Sequence, residues 1–302
     1  MSTPLVVLGP TGSGKSDVAM AYALRHPGTE IVVVDAMQVY RHMDIGTAKP
    51  SAADRDAVPH HCLDLVDPGD DFTVADHTVA ACAALDAIES RGGRALLVAG
   101  TGLYLRAITD PMELPGRWPA VREQLEQRVQ LEGAAALHAE LAALDPVAAS
   151  RMEPGNERRI VRALEVTLGS GRQFSSFGPG LDEYRPVPFE MVGLRWQRDA
   201  LSARIEARVR RMMDDGLVDE VAGLLHRPGG LSRTASQALG YREVIDLLDG
   251  RATVSETVDA IALHTRQYAV RQERWFRRDP RVTWVEVHDD PESTLLPVLE
   301  RR

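Results

Sequence analysis

The chain has 302 residues, of which 44% are hydrophobic and 26% are charged, an ordinary globular composition. Its formal net charge of -9 argues weakly against a nucleic acid as a partner. No apolar run approaches the roughly 18 residues of a membrane-spanning helix, and no signal peptide precedes the first strand-like segment. The two cysteines have neither zinc nor redox spacing, so we expect a protein of the reducing cytoplasm without a membrane partner.

The first predicted elements are a strand, a glycine-rich loop and a helix. Leu5 to Leu8 is a short apolar run, and Lys15 to Leu24 has the pattern of a helix. The backbone amides of a P-loop bind phosphates, its lysine adds positive charge, and the Ser16 hydroxyl can be a Mg²⁺ ligand. The residues that match the P-loop pattern and are predicted to bind phosphate are Gly9, Pro10, Thr11, Gly12, Ser13, Gly14, Lys15 and Ser16.

Two further strands are predicted, and a polar residue follows each of them. Ile31 to Val34 is followed by Asp35, and Leu96 to Val98 leads to a Gly-Thr-Gly segment around Thr101. Ligands of parallel α/β sheets bind beyond the carboxyl ends of the strands, so we expect Asp35 and Thr101 to face the P-loop. The alternatives are that Asp35 only caps a helix and that the Gly-Thr-Gly segment is only a turn.

Two shorter features lie between these strands. Thr73, with Asp76 three residues later, forms a capping box that predicts the start of a helix. His60 and His61 are adjacent and make a poor metal pair, so we expect them to lie in a loop or in the core.

The strand pattern stops in the middle of the chain, where apolar residues recur at helical spacing. We expect Asn156 to cap one of these helices and Gly169 to end it. The arginines predicted for the outer side of this helix are Arg158, Arg159 and Arg162. The pattern predicts a helical domain of residues 113–188, inserted into an α/β core made of residues 1–112 and 189–302.

The last part of the chain carries a local excess of positive charge. Phe189 to Leu194 predicts a strand that returns to the sheet, and a following helix presents Arg204, Arg208 and Arg211 on one face. Residues 265–281 combine six arginines with Tyr268 and Trp275, a pattern that suits RNA. The alternative is a solvated helix face whose aromatic rings pack inward. Because three arginine clusters occur in an acidic chain, we favour a localised basic groove.

Several strings together closely resemble the bacterial tRNA dimethylallyltransferases, over nearly the whole chain. They are GPTGSGKS (9–16), DAMQVYRHMDIGTAKP (35–50), FTVADH (72–77), AGTGLYLRA (99–107), RRIVRALEV (158–166), ALGYRE (238–243) and TRQYAVRQERWFR (265–277). Ala36 and Ala99 stand where this family often has Ser and Gly, and neither change removes an ionisable group. The zinc finger of some eukaryotic members has no counterpart here.

The resemblance implies a fold, an activity and partners. The fold is α/β, a P-loop NTPase-like parallel-sheet core with an inserted helical domain that clasps the anticodon stem-loop of tRNA. The activity is transfer of a dimethylallyl group from dimethylallyl diphosphate to the exocyclic N6 amine of an adenosine. That adenosine lies 3′ of the anticodon in tRNAs reading U-initial codons. Mg²⁺ is the implied cofactor, and we expect a monomer.

This chemistry suggests roles for the predicted site residues. We expect the P-loop, with Lys15 and a Mg²⁺ on Ser16, to hold a diphosphate that departs while no phosphoryl group is transferred. Asp35 is the expected general base, Thr101 lines the site, and Gln38 reads the adenine edge. The arginine that assists departure is Arg204, Arg208 or Arg242. The resemblance further implies which residues contact tRNA: Asp35, Ala36, Met37, Gln38, Thr101, Arg122, Arg158, Arg159, Ile160, Val161, Arg162, Gln237, Ala238, Leu239, Gly240, Tyr241 and Arg242.

Three other functions fit parts of the sequence. In a P-loop small-molecule or nucleoside kinase, Asp35 would hold Mg²⁺ instead of accepting a proton. A prenyltransferase of free adenine nucleotides would not need the basic C-terminal segment. An RNA-binding NTPase would hydrolyse ATP without any transfer of a prenyl group.

Overall fold

The structure, a computed structural model, describes residues 3–178, 180–181 and 183–302. The chain forms two compact units, one made of Met1–Asp110 and Pro186–Arg302 and the other of Pro111–Arg185. The helical unit therefore begins two residues before, and ends three residues before, the predicted bounds of 113 and 188. Positions 179 and 182 of the predicted insertion lie outside the described residues.

The first unit is built on a parallel sheet, as predicted. Its strands are Leu5–Leu8 (β1), Thr29–Val34 (β2), His60–His61 (β3), Arg94–Ala99 (β4), Glu190–Trp196 (β5) and Thr283–Val287 (β6). Their order across the sheet is β3-β2-β4-β1-β5-β6, and each neighbouring pair is parallel. The two edge strands β3 and β6 were not predicted. β1 lies between β4 and β5, so the loop that follows β1 opens at the middle of the sheet.

Helices follow most of the strands. In chain order they are Lys15–Arg25 (α1), Ala52–Ala57 (α2), Val74–Ser90 (α3), Gly102–Thr109 (α4), Pro119–Glu132 (α5), Ala134–Leu144 (α6), Pro146–Ser150 (α7), Glu157–Ser170 (α8), Arg198–Asp214 (α9), Leu217–Leu225 (α10), Tyr241–Leu248 (α11), Val254–Phe276 (α12) and Pro291–Leu299 (α13). The helices α5 to α8 belong to the second unit. Among the described residues, no helix is both long enough and apolar enough to span a membrane.

The sheet is buried on both faces. Leu5 and Val7 of β1 pack into one apolar cluster, whereas Val6 and Leu8 pack into another on the opposite face. This alternation follows from the two-residue period of a strand. Apolar runs without polar alternation, such as those that predicted β1, β2 and β4, are typical of such doubly covered parallel strands.

Local capping signals were mostly read correctly. Thr73 and Asp76 form the predicted capping box at the start of α3, and Asn156 caps α8 by accepting a hydrogen bond from the Arg159 amide. His60 and His61 lie in β3, where the ring of His61 is hydrogen-bonded to Glu30 over 2.7 Å.

The prediction that Gly169 ends α8 is wrong. The helix continues to Ser170, and Gly171 ends it in a left-handed conformation with φ of 71°. A Cβ atom on Gly169 would lie 2.2 Å from Cγ of Trp118, within the same unit. Gly169 is therefore a packing position for the Trp118 ring, since no larger residue fits beneath it.

Candidate active site

The loop after β1 has the geometry of an anion site. Gly12 and Gly14 adopt left-handed conformations, with φ of 78° and 87°, which let the chain turn tightly before α1. The first amides of a helix have no intrahelical partner. Gly14, the N-cap of α1, has no side chain that could accept from them. Ser13 is fully buried, and its Oγ has no hydrogen-bond partner among the described residues. These groups form a site that favours a bound anion.

Two of the three candidate arginines reach this loop from α9. Arg204 Nε donates to the backbone oxygen of Gly12 over 3.0 Å, and its guanidinium lies 4.5 Å from the centre of the Trp196 ring. Arg208 Nη1 donates to Thr11 Oγ1 over 3.0 Å. The contacts made by α9 thus add two guanidinium groups to the charge of the P-loop lysine.

Lys15 lies half-buried at the end of the loop and donates from Nζ to the Pro10 carbonyl over 3.3 Å. Burial lowers the pKa of Lys15 to about 8; Asp35 acts in the opposite direction and Arg208 lowers the pKa further. Lys15 therefore carries its positive charge at a point where burial disfavours it. A bound diphosphate would compensate it.

Asp35 follows β2 directly, and its two carboxylate oxygens have different environments. Oδ1 accepts hydrogen bonds from the amides of Met37 and Gln38 over 2.8 and 3.2 Å. Oδ2 is directed towards Gly100, where a Cβ atom would lie 3.4 Å from Oδ2 and 3.5 Å from Cε of Lys15. One oxygen therefore orients the carboxylate, while the other faces the same point as the lysine.

The buried surroundings of Asp35 are aromatic. Burial and, second to it, the charge of Asp35 raise the pKa of Tyr268 to about 12. Tyr104, whose pKa burial also raises, stacks obliquely on His77 with 5.1 Å between ring centres. Thr101 Oγ1 is buried beside Tyr268 and has no hydrogen bond of ordinary geometry within the described part of the chain. Thr101 and Asp35 thus both lie near Tyr268.

His77 belongs to this cluster although it was not predicted as a site residue. It is fully buried, and its ring bonds to the Val33 carbonyl over 3.1 Å. Burial lowers its pKa, against the opposing effects of this hydrogen bond and of Asp35. The ring is therefore kept neutral, and it supports the strand that carries Asp35.

Gln272 is a site residue that sequence reasoning missed. Its side-chain amide accepts a hydrogen bond from the Thr11 amide over 2.8 Å and donates to the Gly100 carbonyl over 2.7 Å. The residue lies on α12 and is buried. Its position within the string TRQYAVRQERWFR was the only available signal, and that string had been assigned to RNA contacts.

The loop after Asp35 is held by the charged side chain of Lys49 and by the neutral amide of Gln38. Lys49, whose side chain is fully buried, bonds to the Tyr40 carbonyl and to Asp44 and Asp64 at 2.7 to 2.8 Å. The expected adenine reader, Gln38, donates from Nε2 to the Thr47 carbonyl over 3.0 Å. Only the oxygen of the Gln38 amide is thus left for a ligand, so a bidentate contact is not preformed.

The 237–242 segment mixes buried and exposed residues. Tyr241 is fully buried, its hydroxyl donates to Glu220, and its ring occupies the space above Gly46. Ala238 is buried as well. The expectation that the side chains of Ala238 and Tyr241 contact tRNA is therefore wrong, because both pack in the core. Arg242 is exposed and pairs with Glu243 over 3.5 Å. No described contact joins Arg242 to the P-loop, which leaves Arg204 and Arg208 as candidates.

The arginines of the helical unit fall into two groups. Arg122 and Arg162 both form ion pairs with the buried Glu165, at 3.2 and 3.0 Å. The prediction that Arg162 lies on the outer side of α8 is therefore wrong. Arg158 and Arg159 are exposed, as that prediction requires. Two neighbours expected to contact tRNA, Ile160 and Val161, are buried in the core of this unit, because the apolar stripe of α8 faces inward.

In residues 265–281, Arg271 lies 5.8 Å from the centre of the Tyr268 ring, but the rings face inward, as in the alternative of a solvated helix face. Trp275 packs against Gly102, where a Cβ atom would lie 2.0 Å from its ring, and Tyr268 faces Asp35 and Thr101. Arg281 is used in a largely buried ion pair with Asp110, at 2.9 Å. The rings of this segment therefore pack inward, and only its other arginines remain for a basic surface.

Few residues are available for a metal ion. Within the described ranges, no group of three or more His, Cys, Asp or Glu side chains has the arrangement of a metal site. Ser16 is exposed on the first turn of α1. Mg²⁺ commonly keeps several waters and binds substrate phosphates together with one or two protein ligands, so these residues fit an ion that binds with a diphosphate.

Comparisons with known proteins place this chain in a family. A family model described as IPP transferase matches residues 38–279, and another, described as isopentenyl transferase, matches residues 3–63. A tRNA dimethylallyltransferase of Kineococcus radiotolerans is 48% identical to this chain over 99% of it and 96% of the relative.

Solved structures agree with these matches. The tRNA isopentenylpyrophosphate transferase of Bacillus halodurans is 37% identical, with a TM-score of 0.70 over 99% of this chain and 95% of that one. A eukaryotic dimethylallyltransferase acting on tRNA, at 22% identity, shares the fold with a TM-score of 0.78 over 96% of this chain and 75% of that one. These matches confirm the resemblance and the fold class and do not support the kinase alternative. The chain belongs to the IPP transferase family.

Proposed function

We propose that this protein transfers a dimethylallyl group from dimethylallyl diphosphate to N6 of the adenosine 3′ of the anticodon, in tRNAs that read U-initial codons. The names of its relatives support a transferase of this kind. The observation that carries the proposal is that Asp35 and Lys15, the lysine of the anion-binding loop, both lie close to Gly100. This reaction requires a general base for the acceptor amine and a binding site for the leaving diphosphate.

The P-loop side of the site would bind the diphosphate. The carbon–oxygen bond of the allylic diphosphate breaks, and its electron pair leaves with the pyrophosphate. Lys15, Arg204 and Arg208 would stabilise the negative charge that develops there. Mg²⁺, held by Ser16 together with diphosphate oxygens, would supply further positive charge to the leaving group.

The Asp35 side would activate the acceptor. The N6 nitrogen forms the new bond to the allylic carbon, and its proton passes to Asp35 Oδ2. Because Oδ1 is fixed by the Met37 and Gln38 amides, the carboxylate does not have to reorient before it accepts the proton. The adenosine must leave its stack to reach this point, and Thr101 and the free oxygen of Gln38 would contact it.

The aromatic surroundings would suit the allyl fragment. Tyr104 and Tyr268 are both largely withdrawn from water and both lie near Asp35. Aromatic faces stabilise a nearby cation, and positive charge develops on the allyl group as the bond to oxygen breaks. Exclusion of water from these rings would also protect the allyl cation from hydrolysis.

Exposed arginines in both units would bind the tRNA backbone. Arg158 and Arg159 are exposed in the helical unit, and Arg242 in the other unit. Phosphate contacts of this kind supply affinity without base specificity. The proposed tRNA substrate implies a cytoplasmic location, and we expect the protein to act as a monomer.

The experiment that tests the proposal is product analysis with purified protein. Unmodified tRNA with dimethylallyl diphosphate should yield an N6-dimethylallyl adenosine next to the anticodon, detected by mass spectrometry of digested nucleosides. Free AMP offered with the same donor should remain unmodified. A product formed on AMP and not on tRNA would contradict the proposal, as would RNA-stimulated ATP hydrolysis without any prenylated product.

A further inference from the structure

Gln272 ties the P-loop to the end of β4 in a single orientation. Its Oε1 accepts from the Thr11 amide over 2.8 Å, and its Nε2 donates to the Gly100 carbonyl over 2.7 Å. The Thr11 N–H can only donate and the Gly100 oxygen can only accept, so the two ends of the amide cannot be exchanged. With 6% of its surface exposed, Gln272 has little room to turn away.

This contact takes the first amide that the loop could offer to a ligand. Before Thr11, the Gly9 amide donates to the Ala99 carbonyl over 3.4 Å, and Pro10 has no N–H group. The amides left for an anion therefore lie further along the loop, near the start of α1, where the helix end favours negative charge.

The side chain of Thr11 is occupied as well, because Arg208 Nη1 donates to its Oγ1 over 3.0 Å. In nucleotide-binding P-loops, the amides cradle two phosphates and the lysine reaches towards a third. Here Lys15 Nζ bonds to the Pro10 carbonyl over 3.3 Å, on the same part of the loop. The upstream half of the loop is thus filled by the protein's own groups.

We propose that Gln272 is a specificity-determining residue that restricts the P-loop to a diphosphate and excludes the third phosphate of a triphosphate. The inference rests on the proposed function, since it concerns the same loop. A third phosphate would have to displace Gln272 Oε1 from Thr11. It would then lie beside a buried amide oxygen that had lost its donor, which repels the anion and is itself costly.

The test compares inorganic pyrophosphate with inorganic tripolyphosphate, each with Mg²⁺, by titration calorimetry on the full chain. The wild-type protein should bind tripolyphosphate no more tightly than pyrophosphate, despite its additional charge. Gln272→Ala should raise the affinity for tripolyphosphate relative to pyrophosphate by about tenfold, the effect of one hydrogen bond to a charged group. Gln272→Asn, which withdraws the amide by one methylene, should change the ratio in the same direction.

The matched control is Gln267→Ala, because Gln267 is exposed on the same helix. It should leave the ratio at the wild-type value. Wild-type protein that binds tripolyphosphate more tightly than pyrophosphate by about tenfold or more overturns the inference before any variant is made. An unchanged ratio in folded Gln272→Ala or Gln272→Asn also overturns it.

The transfer assay separates this inference from the proposed function. If the wild-type protein prenylates tRNA but the Gln272 variants keep the wild-type ratio, only the role of Gln272 is refuted. If the wild-type protein binds neither polyphosphate, both the inference and the proposed function are refuted.

Discussion

Asp35 and Lys15 both lie close to Gly100, the residue that follows β4. A Cβ atom on Gly100 would lie 3.4 Å from Oδ2 of Asp35 and 3.5 Å from Cε of Lys15. The two residues come from different parts of the sequence and meet because β2, β4 and β1 are neighbours in the sheet. A base and a cation this close together can act on the two ends of one reaction, with proton removal at one end and departure of an anion at the other.

Asp35→Asn should abolish transfer without weakening the diphosphate site. The asparagine oxygen can still accept from the Met37 and Gln38 amides, but the side chain cannot accept a proton. We expect kcat to fall by about 10²- to 10⁴-fold, the usual contribution of a general base, and pyrophosphate affinity to change little. Asp56→Asn, on the exposed face of α2, is the matched control. A variant with near-wild-type turnover would remove Asp35 from this role.

The charge of Lys15 predicts a pH dependence of diphosphate binding. The pKa of Lys15 is lowered to about 8, so the free protein loses this charge as the pH rises through that value. Pyrophosphate affinity should therefore decline above about pH 8 in the wild type, measured relative to Lys15→Arg, which stays charged. Pyrophosphate also changes its ionisation over this pH range, but in the same buffers this affects both proteins equally and drops out of the ratio of their affinities. Parallel affinity curves for the two proteins would show that Lys15 carries a constant charge over this range.

Two glycines provide a stability test of the packing around the site. A Cβ atom on Gly102 would lie 2.0 Å from the Trp275 ring, whereas one on Gly223, in α10, would meet nothing within 4 Å. Gly102→Ala should lower the free energy of unfolding by about 1–3 kcal/mol through overpacking. Gly223→Ala should raise it by about 0.4–1 kcal/mol by restricting the unfolded chain. Urea denaturation gives both values, and equal effects of the two changes would contradict the described packing.

The distinction between Tyr241 and Arg242 can be tested with tRNA binding. Arg242→Ala should weaken binding and reduce the slope of log K against log salt by about 0.7 to 0.9, the loss of one phosphate contact. Tyr241→Phe removes the hydrogen bond to Glu220 and should instead lower stability by about 1 kcal/mol, with an unchanged salt slope. Filter binding at several salt concentrations gives the slopes. A reduced slope in Tyr241→Phe would place that residue at the RNA surface after all.

Features that are local in sequence were predicted well. The P-loop, the capping box at Thr73 and the apolar strand before Asp35 each depend on a few consecutive residues. Gln272 was missed because it lies 261 residues from Thr11, and only the packed helix α12 brings the two together. Burial also could not be read from residue type: Tyr241 lies in a string typical of RNA contacts, yet it fills the space above a glycine.

The edge strands show a related limit. β3 contains only two residues, too few for a periodic signal, and its pairing with β2 is visible only in the folded sheet. β6 is largely accessible and carries Glu286 and two further polar or aromatic positions, so its sequence does not resemble the buried runs that predicted β1 and β2. Tertiary pairing, and not local propensity, defines both strands.

The central claim is that one protein chain joins diphosphate departure to prenylation of a tRNA adenosine, with Asp35 as the base. The most direct measurement follows labelled dimethylallyl diphosphate in a reaction with unmodified tRNA, quantifying both released pyrophosphate and modified nucleoside. We expect equal amounts of the two products with the wild-type protein, and formation of both slowed by at least about 10²-fold with Asp35→Asn. Pyrophosphate release without a modified nucleoside, or a modified nucleoside formed at the wild-type rate by Asp35→Asn, would contradict the account.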